Sequence, residues 1–362
     1  MSTHRIYIIG AGAISGSHLQ TIQKLPDSEN MEVHVADINP EALAKIQEQY
    51  PHAQVYDDTP VMLASPPNAD DIVIVSTPPV SHCSLTLQGL ESGRHVLCEK
   101  PLAMNQTQAY AMLRKAQEMD RLLGCCSVRF IGHRATETLK TWLNEGTLGE
   151  VYSVNWHFRG QGSREGIVVG QNVAWRMARS QNGGGVLMDW SPYDFTTLND
   201  VLRPVRVDVL HAWLAPPVVN AQLPEGAVLD VEFHLGAAMV YYREDGSAAP
   251  VSFERGHPAY GTPIERFEFQ GTEGTAALDW LRGGLTRHFD SDGKVISETV
   301  PCQPDANSPQ MLQRPLCYFY DAVNGCASPA VLNEQAVFNF NCLRAVYDCV
   351  ETGCRQTVVK GA

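Results

Sequence analysis

Between residues 5 and 128, short apolar runs alternate with amphipathic segments, a pattern that few folds accept. Residues 5–9, 31–37 (MEVHVAD), 71–76 (DIVIVS), 95–98 and 121–128 (RLLGCCSV) read as strands. Residues 14–25, 40–50, 80–92 and 106–120 read as helices, with Pro40 at the first helical position, where its missing N–H costs nothing. DIVIVS is continuously apolar, as a strand covered on both faces of a parallel sheet must be. Strands alternating with helices over such a length form a doubly wound parallel sheet, an α/β Rossmann domain.

Beyond about residue 130 the pattern changes. A helix at 135–145 leads into EVYSVNWHFRG (150–160), whose β-rich composition predicts an antiparallel strand. After a Gly-rich stretch, a helix is expected at 187–202 and strands at 205–214, 228–235, 238–243, 264–270 and 275–280. Helices at 311–324 and 333–352 close the chain. Strands grouped together with flanking helices indicate an α+β domain with a mainly antiparallel sheet. At 362 residues the chain exceeds one ordinary core. The expected division is 1–128 for dinucleotide binding and 129–362 for substrate binding and oligomerisation.

The net charge of −13 and the absence of a Lys/Arg cluster argue against nucleic acid, which requires a basic face, and against an anionic membrane surface. No apolar run approaches the roughly 20 residues that span a bilayer, and the first residues carry no secretory pattern. The ten cysteines form no CxxC pair and no Cys/His ligand spacing, so no metal site is expected and a reducing cytoplasm is the simplest setting.

The chemistry-bearing motifs follow the strands of the first domain. GAGAISG (10–16) joins the first strand to the first helix. Gly10 and Gly12 allow a tight turn and close approach to a pyrophosphate, Ser15 stands at the third glycine position, and the amides around Ala13 and Ile14 open the helix toward an anion. Asp37, after the second strand, suits ribose hydroxyls and repels a 2′-phosphate, which selects NAD. STPPVSH (76–82) offers Thr77, Pro78 and His82 at the edge of the sheet where ligands bind, although His82 can instead cap the next helix. CEKP (98–101) brings Glu99 and Lys100 to the same edge, and Pro101 restricts the backbone that presents the lysine.

These pieces, with ADINPE (36–41), AWRMARSQNGGGVLMD (174–189) and LNEQAVFNFNCLRAVYDCVETG (332–353), run through nearly the whole chain. They resemble the glucose–fructose oxidoreductase/inositol dehydrogenase family. The resemblance implies a Rossmann domain followed by an open-faced, mainly antiparallel sheet that often joins subunits, here as a homodimer or homotetramer. It also implies NAD-dependent hydride transfer at a CH–OH group of a sugar, polyol or related carbinol. Lys100 is then expected at the nicotinamide and substrate hydroxyl through a cis Lys100–Pro101 bond, with Trp175 and Arg176 approaching the cofactor.

Asp189 and Tyr193 complete the expected catalytic set. They lie four residues apart and so on one helix face. Most relatives carry histidine at the position of Tyr193, and many carry Asn or Gln at that of Cys126. The proton relay is open between Lys100 and Tyr193. Trp156, His157, Arg159, Arg164 and Asp194 are expected to shape the substrate pocket, with Arg159 or Arg164 suited to a carboxylate or phosphate. Two other readings of the same motifs are an NAD-assisted glycosidase and a nucleotide-binding regulator without turnover.

Overall fold

The structure is a computed structural model that describes residues 4–161, 167–216, 221–259, 262–291, 294–300 and 308–361. Its first part runs β1 (Arg5–Ile9), α1 (Ala13–Ile22), β2 (Glu32–Ala36), α2 (Pro40–Gln49), β3 (Gln54–Tyr56), α3 (Thr59–Met62), β4 (Ile72–Val75), α4 (His82–Glu91), β5 (His95–Cys98), α5 (Gln106–Glu118) and β6 (Leu123–Cys125). All six strands pair in parallel in the order β3-β2-β1-β4-β5-β6. The order reverses between β1 and β4, the switch point at which open α/β sheets bind ligands. Every residue of β4 is buried, as its unbroken apolar sequence requires. The short β3 and α3 were not anticipated, because three or four residues carry no readable period.

The second part comprises α6 (Arg134–Asn144), β7 (Val151–Gln161), β8 (Ile167–Val168), α7 (Arg179–Asn182), α8 (Val186–Leu202), β9 (Arg206–Ala215), β10 (Ala221–Gln222), β11 (His234–Tyr242), β12 (Ala248–Ala259), β13 (Ile264–Gly271), β14 (Gly274–Asp279), β15 (Gly284–Ser291), β16 (Lys294–Val300), α9 (Arg314–Val323), α10 (Asn333–Thr352) and β17 (Gln356–Val359). Nine strands form one sheet in the order β16-β15-β14-β13-β7-β12-β11-β9-β17.

The strand expected at 150–160 is antiparallel to β13 but parallel to β12, so the sheet is mixed. β12 was missed because Pro250, Gly256 and Pro258 interrupt its run, residues that usually mark a strand's edge or end. The strands expected at 228–235 and 238–243 are one strand, β11, and 228–233 lies outside it. β15, β16 and β17 were also unforeseen. Both the Lys100–Pro101 bond and the His257–Pro258 bond are cis, the first as the resemblance implies.

The chain divides into two compact units. One is Met1–Arg129 with Pro309–Phe340, the other Phe130–Ser308 with Asn341–Ala362. The first boundary falls one residue after the expected 128. The stretch 309–340, expected in the second domain, packs instead with the parallel sheet. Leu316, Phe319 and Tyr320 of α9 enter the core that holds Ile72, Leu97 and Cys126. Phe319 lies so close to Gly124 that a Cβ there would stand 2.5 Å from the ring. Asn333 accepts a hydrogen bond from the Leu123 amide at 2.9 Å, which fixes the start of α10 against β6.

Within the second unit, β12 alternates: Ala249, Val251, Phe253 and Arg255 are buried, while Ser252 faces out. Helix α8 packs on the buried face. On the opposite face His157, His211, Trp213, Ser252 and Glu254 line a shallow depression.

Candidate active site

In the first unit, the turn after β1 is built by glycine. Gly10 has φ +102°, and a Cβ on it would stand 2.7 Å from the Ser76 carbonyl oxygen, so no other residue fits. Gly12 has nothing within 4 Å of its would-be Cβ. Helix α1 begins there with no side-chain cap and no acidic residue in its first turn, ahead of the amides of Ala13 and Ile14. Unpaired N–H groups and the positive end of the helix dipole make such a terminus a site for an anion. Ser15 is fully buried and donates to the Gly12 carbonyl at 2.6 Å, so the third glycine position needs only a small residue.

Asp37 stands beside this turn. Its Oδ2 accepts from the Ala11 amide at 2.6 Å and its Oδ1 from the Asn39 amide at 2.8 Å. These bonds fix the carboxylate while leaving lone pairs for a diol. A bare helix terminus, a glycine cradle and a fixed carboxylate together fit a dinucleotide diphosphate with a free ribose. When bound, NAD supplies a hydride acceptor or donor at its nicotinamide.

The loops after β4 and β5 are tied together from beneath. His82 is fully buried, with Nδ1 2.7 Å from the Pro101 carbonyl and Nε2 2.8 Å from the Thr77 carbonyl. Its ring therefore holds the two loops in register; it neither caps α4, whose N-cap is Ser81, nor presents a face outward. Thr77 and Pro78 of that loop are partly exposed. Ser81 donates to the Thr77 hydroxyl at 2.7 Å.

Glu99 is also turned inward. It accepts from His18 Nε2 at 3.1 Å and from the Lys100 amide at 3.1 Å, with an Arg129 nitrogen 3.7 Å away. Burial alone would raise its pKa, but the His18 hydrogen bond and the Arg129 charge outweigh that and bring it down to about 2. Cys126 completes a buried His18/Glu99/Cys126 set whose ligand atoms lie within 4.8 Å of one another. Burial and the nearby Glu99 push the Cys126 thiol well above its usual range, and Arg129 already supplies the positive charge. The set is balanced without a cation. Lys100, partly exposed, follows directly on this anchored glutamate.

In the second unit, the Gly-rich stretch exists to seat α8. A Cβ on Gly184 would stand 2.0 Å from the Tyr347 hydroxyl, and one on Gly185 1.8 Å from the Glu232 carbonyl oxygen. Buried Glu232 accepts from the amides of Gly185 at 3.0 Å and Leu187 at 3.1 Å, and from the Tyr347 hydroxyl at 2.7 Å. A carboxylate on these orphan amides, at the positive end of the dipole, stabilises the helix start. Sequence reasoning missed Glu232, which fell inside a segment read as strand.

Asp189 is partly exposed in the first turn of α8. Tyr193, one turn on, is only 2% exposed; its ring lies edge-on to Phe130 at 5.4 Å and to Trp190 at 6.0 Å.

Most residues expected to shape the pocket lie elsewhere. Asp194 is buried in a bidentate pair with Arg255 and accepts from Trp156 Nε1 at 2.8 Å, so Asp194 and Trp156 are core groups. His157 and Arg159 point to the opposite face of the sheet. There His157 bonds Ser252 at 2.8 Å, and Arg159 reaches the Thr262 carbonyl at 3.2 Å and Glu254 at 3.6 Å. Side chains alternate along a strand, so neither shares a face with Asp189. Arg164 lies outside the described residues. Trp175 is partly buried, and the exposed Arg176 guanidinium lies 5.2 Å from its ring.

Comparison with known proteins gives this geometry a lineage. Residues 4–126 match the sequence profile of an oxidoreductase family with an NAD-binding Rossmann fold, and residues 136–277 match the GFO/IDH/MocA C-terminal domain. A 1,5-anhydro-D-fructose reductase of Ensifer adhaerens is 27% identical over 296 residues, 78% of each chain. A myo-inositol 2-dehydrogenase of Thermotoga maritima is 23% identical over 289 residues, 80% of this chain and 79% of the other. A solved levoglucosan dehydrogenase in complex with NADH superposes with a TM-score of 0.80 at 18% identity, covering 99% of this chain and all of that one. Among the described residues no helix is long and apolar enough to cross a membrane.

Proposed function

The chain belongs to the GFO/IDH/MocA family of NAD-dependent oxidoreductases, and we propose that it moves hydride between NAD and a CH–OH carbon of a sugar or polyol. The observation that carries this reading is the bare first turn of α1 beside the fixed Asp37 carboxylate, a site made for a dinucleotide with an unphosphorylated ribose. The substrate class follows from relatives whose names are those of a sugar-derivative reductase and an inositol dehydrogenase. In this reading Lys100 binds the reacting oxygen, Asp189 orients the substrate hydroxyl, and Tyr193 packs against its ring. Glu99, held ionised by His18 and Arg129, sets the backbone from which Lys100 extends.

Sugars and polyols incubated with NAD and scored by NADH absorbance test the reading. At least one should give stoichiometric NADH, with NAD preferred to NADP. Release of free sugar from a glycoside without net NADH would instead indicate the NAD-assisted glycosidase. The open face of the nine-stranded sheet, where Leu210 and Trp213 are more than two-fifths exposed, supports self-association as a dimer or tetramer. Sedimentation of wild type and Trp213→Glu checks it: the variant should shift toward monomer.

A further inference from the structure

Lys100 sits between two buried anchors. Its own amide donates to Glu99 Oε2 at 3.1 Å, and the carbonyl of the next residue, Pro101, lies 2.7 Å from Nδ1 of His82. Proline has no N–H, so that carbonyl is the one hydrogen-bonding group of its backbone. The other ring nitrogen, Nε2, lies 2.8 Å from the Thr77 carbonyl. Both partners are carbonyl oxygens, which only accept. A neutral imidazole carries one N–H and an imidazolium carries two. The ring can therefore bond both loops only when it holds a second proton.

The two carbonyls are not equivalent. Pro101 is buried and meets the ring in the interior, whereas Thr77 is partly exposed. A buried carbonyl left without a donor is costly, while one near solvent finds water. The single proton of the neutral ring thus belongs on Nδ1, and Nε2 then turns a lone pair toward Thr77.

The groups around the ring bear on its charge from several sides. The β5 loop brings the Glu99 carboxylate, which favours the imidazolium, and the Lys100 ammonium, which opposes it. Strand β5 ends in Cys98 and α4 continues with Cys83, thiols whose pKa burial pushes up. The β4 loop brings the Ser81 and Thr77 hydroxyls, paired with each other, and α5 brings the Gln108 carbonyl, which accepts from Cys83. Burial outweighs the two carbonyls and Glu99 and lowers the His82 pKa from 6.5. The neutral ring therefore prevails at about pH 7.

We propose that His82 is a proton-gated positioning residue for Lys100, an inference that rests on the hydride-transfer reading above for the role of that lysine. Neutral, His82 holds the Lys100–Pro101 segment through Nδ1 alone and leaves the Thr77 carbonyl to other donors. Protonated, it ties the two loops to each other. The second proton comes from water and returns to it, and no bond other than N–H is made or broken.

Nitrogen and carbonyl NMR of the full chain reads the gate, with the His82 signals assigned by their loss in His82→Asn. Near neutral pH the ring should carry one proton, on Nδ1. On acidification from about pH 8 to about pH 5, Nε2 should gain the second with a midpoint below the ordinary imidazole value. The Thr77 carbonyl carbon should shift with that midpoint, and the Pro101 carbonyl, bonded in both states, should shift less. A proton on Nε2 at neutral pH, or a Thr77 carbonyl that ignores the titration, overturns the gate.

Kinetics on a sugar that wild type oxidises test the positioning. In His82→Asn the side-chain N–H₂ takes the place of Nδ1–H, whereas in His82→Gln it reaches the place of Nε2–H and leaves Pro101 without its donor. The first should keep kcat within about threefold and the second should lose on the order of 10–100-fold, with NAD dissociation constants unchanged in both. Any change of kcat at the His82 midpoint in wild type should be absent from His82→Asn. Equal losses in the two variants, or the reverse order, overturn the positioning role. If wild type oxidises no sugar or polyol, the hydride-transfer reading fails, and the NMR titration still decides the gate.

Discussion

Helices α1 and α8 begin in opposite ways. Helix α1 starts bare at Gly12, with no cap and no acid in its first turn. Helix α8 starts filled, with the Glu232 carboxylate on its amides and two glycines pressed against Tyr347 and Glu232. Every α-helix leaves its first four N–H groups without intrahelical partners. Where the chain supplies a carboxylate, those groups fix the helix and whatever it carries. Where it supplies nothing, they remain for a ligand. The first start suits binding of a phosphate, the second suits holding Asp189 in place.

Filling the bare start should have the largest effect. Gly12 has φ −76° and ψ −174°, extended backbone that any residue adopts, and its Cβ position is open. Gly12→Asp should therefore fold normally and keep its Tm, since aspartate is a good N-cap. Its carboxylate would occupy the phosphate position and repel the anion. Calorimetry should show NAD affinity falling on the order of 100-fold, about 2.7 kcal/mol.

A second buried carboxylate, Glu99, sharpens the contrast, because the His18 hydrogen bond and the Arg129 charge hold its pKa down. Its folded pKa of about 2 lies below the ordinary 4.5. The stabilisation is complete above 4.5 and is lost as pH falls from 4.5 to about 2. Its full size is on the order of 3 kcal/mol. Chemical denaturation across that window should show wild type losing stability more steeply than Glu99→Gln. Parallel curves would mean that His18 and Arg129 do not favour the ionised form.

Asp37 should give the smallest change. Asp37→Ser removes the charge that opposes a 2′-phosphate, and the NAD/NADP ratio of dissociation constants should move toward NADP by roughly tenfold. No change would place the ribose away from β2.

The difference between the two starts also explains what could be read in advance. The turn at Gly10–Ser15 is local: its glycines, its small third residue and the acid after β2 follow from short-range geometry and stand in the sequence as a motif. Glu232 bonds Leu187 from 45 residues away and Tyr347 from 115 away, so no spacing announces it.

The assignment of Trp156, His157 and Arg159 to one pocket contradicted strand alternation. With Trp156 on the α8 face, the two odd-numbered side chains had to face away, and they do. The fate of 309–340 was unreadable for another reason. The amphipathic period of α9 shows that it packs, but not which of two sheets it packs on.

The central claim, that the two helix starts do different jobs, is tested most directly by Glu232→Gln. Glutamine keeps the shape but turns an N–H₂ group toward amides that need acceptors, costing about 1–3 kcal/mol of stability. Steady-state kinetics on a sugar that wild type oxidises, together with NAD titration of the same variant, form the measurement. A shift of Asp189 by a fraction of an ångström should lower kcat roughly tenfold to a hundredfold, with NAD affinity unchanged. Loss of NAD affinity comparable to that of Gly12→Asp, with kcat at saturating NAD intact, would contradict the account.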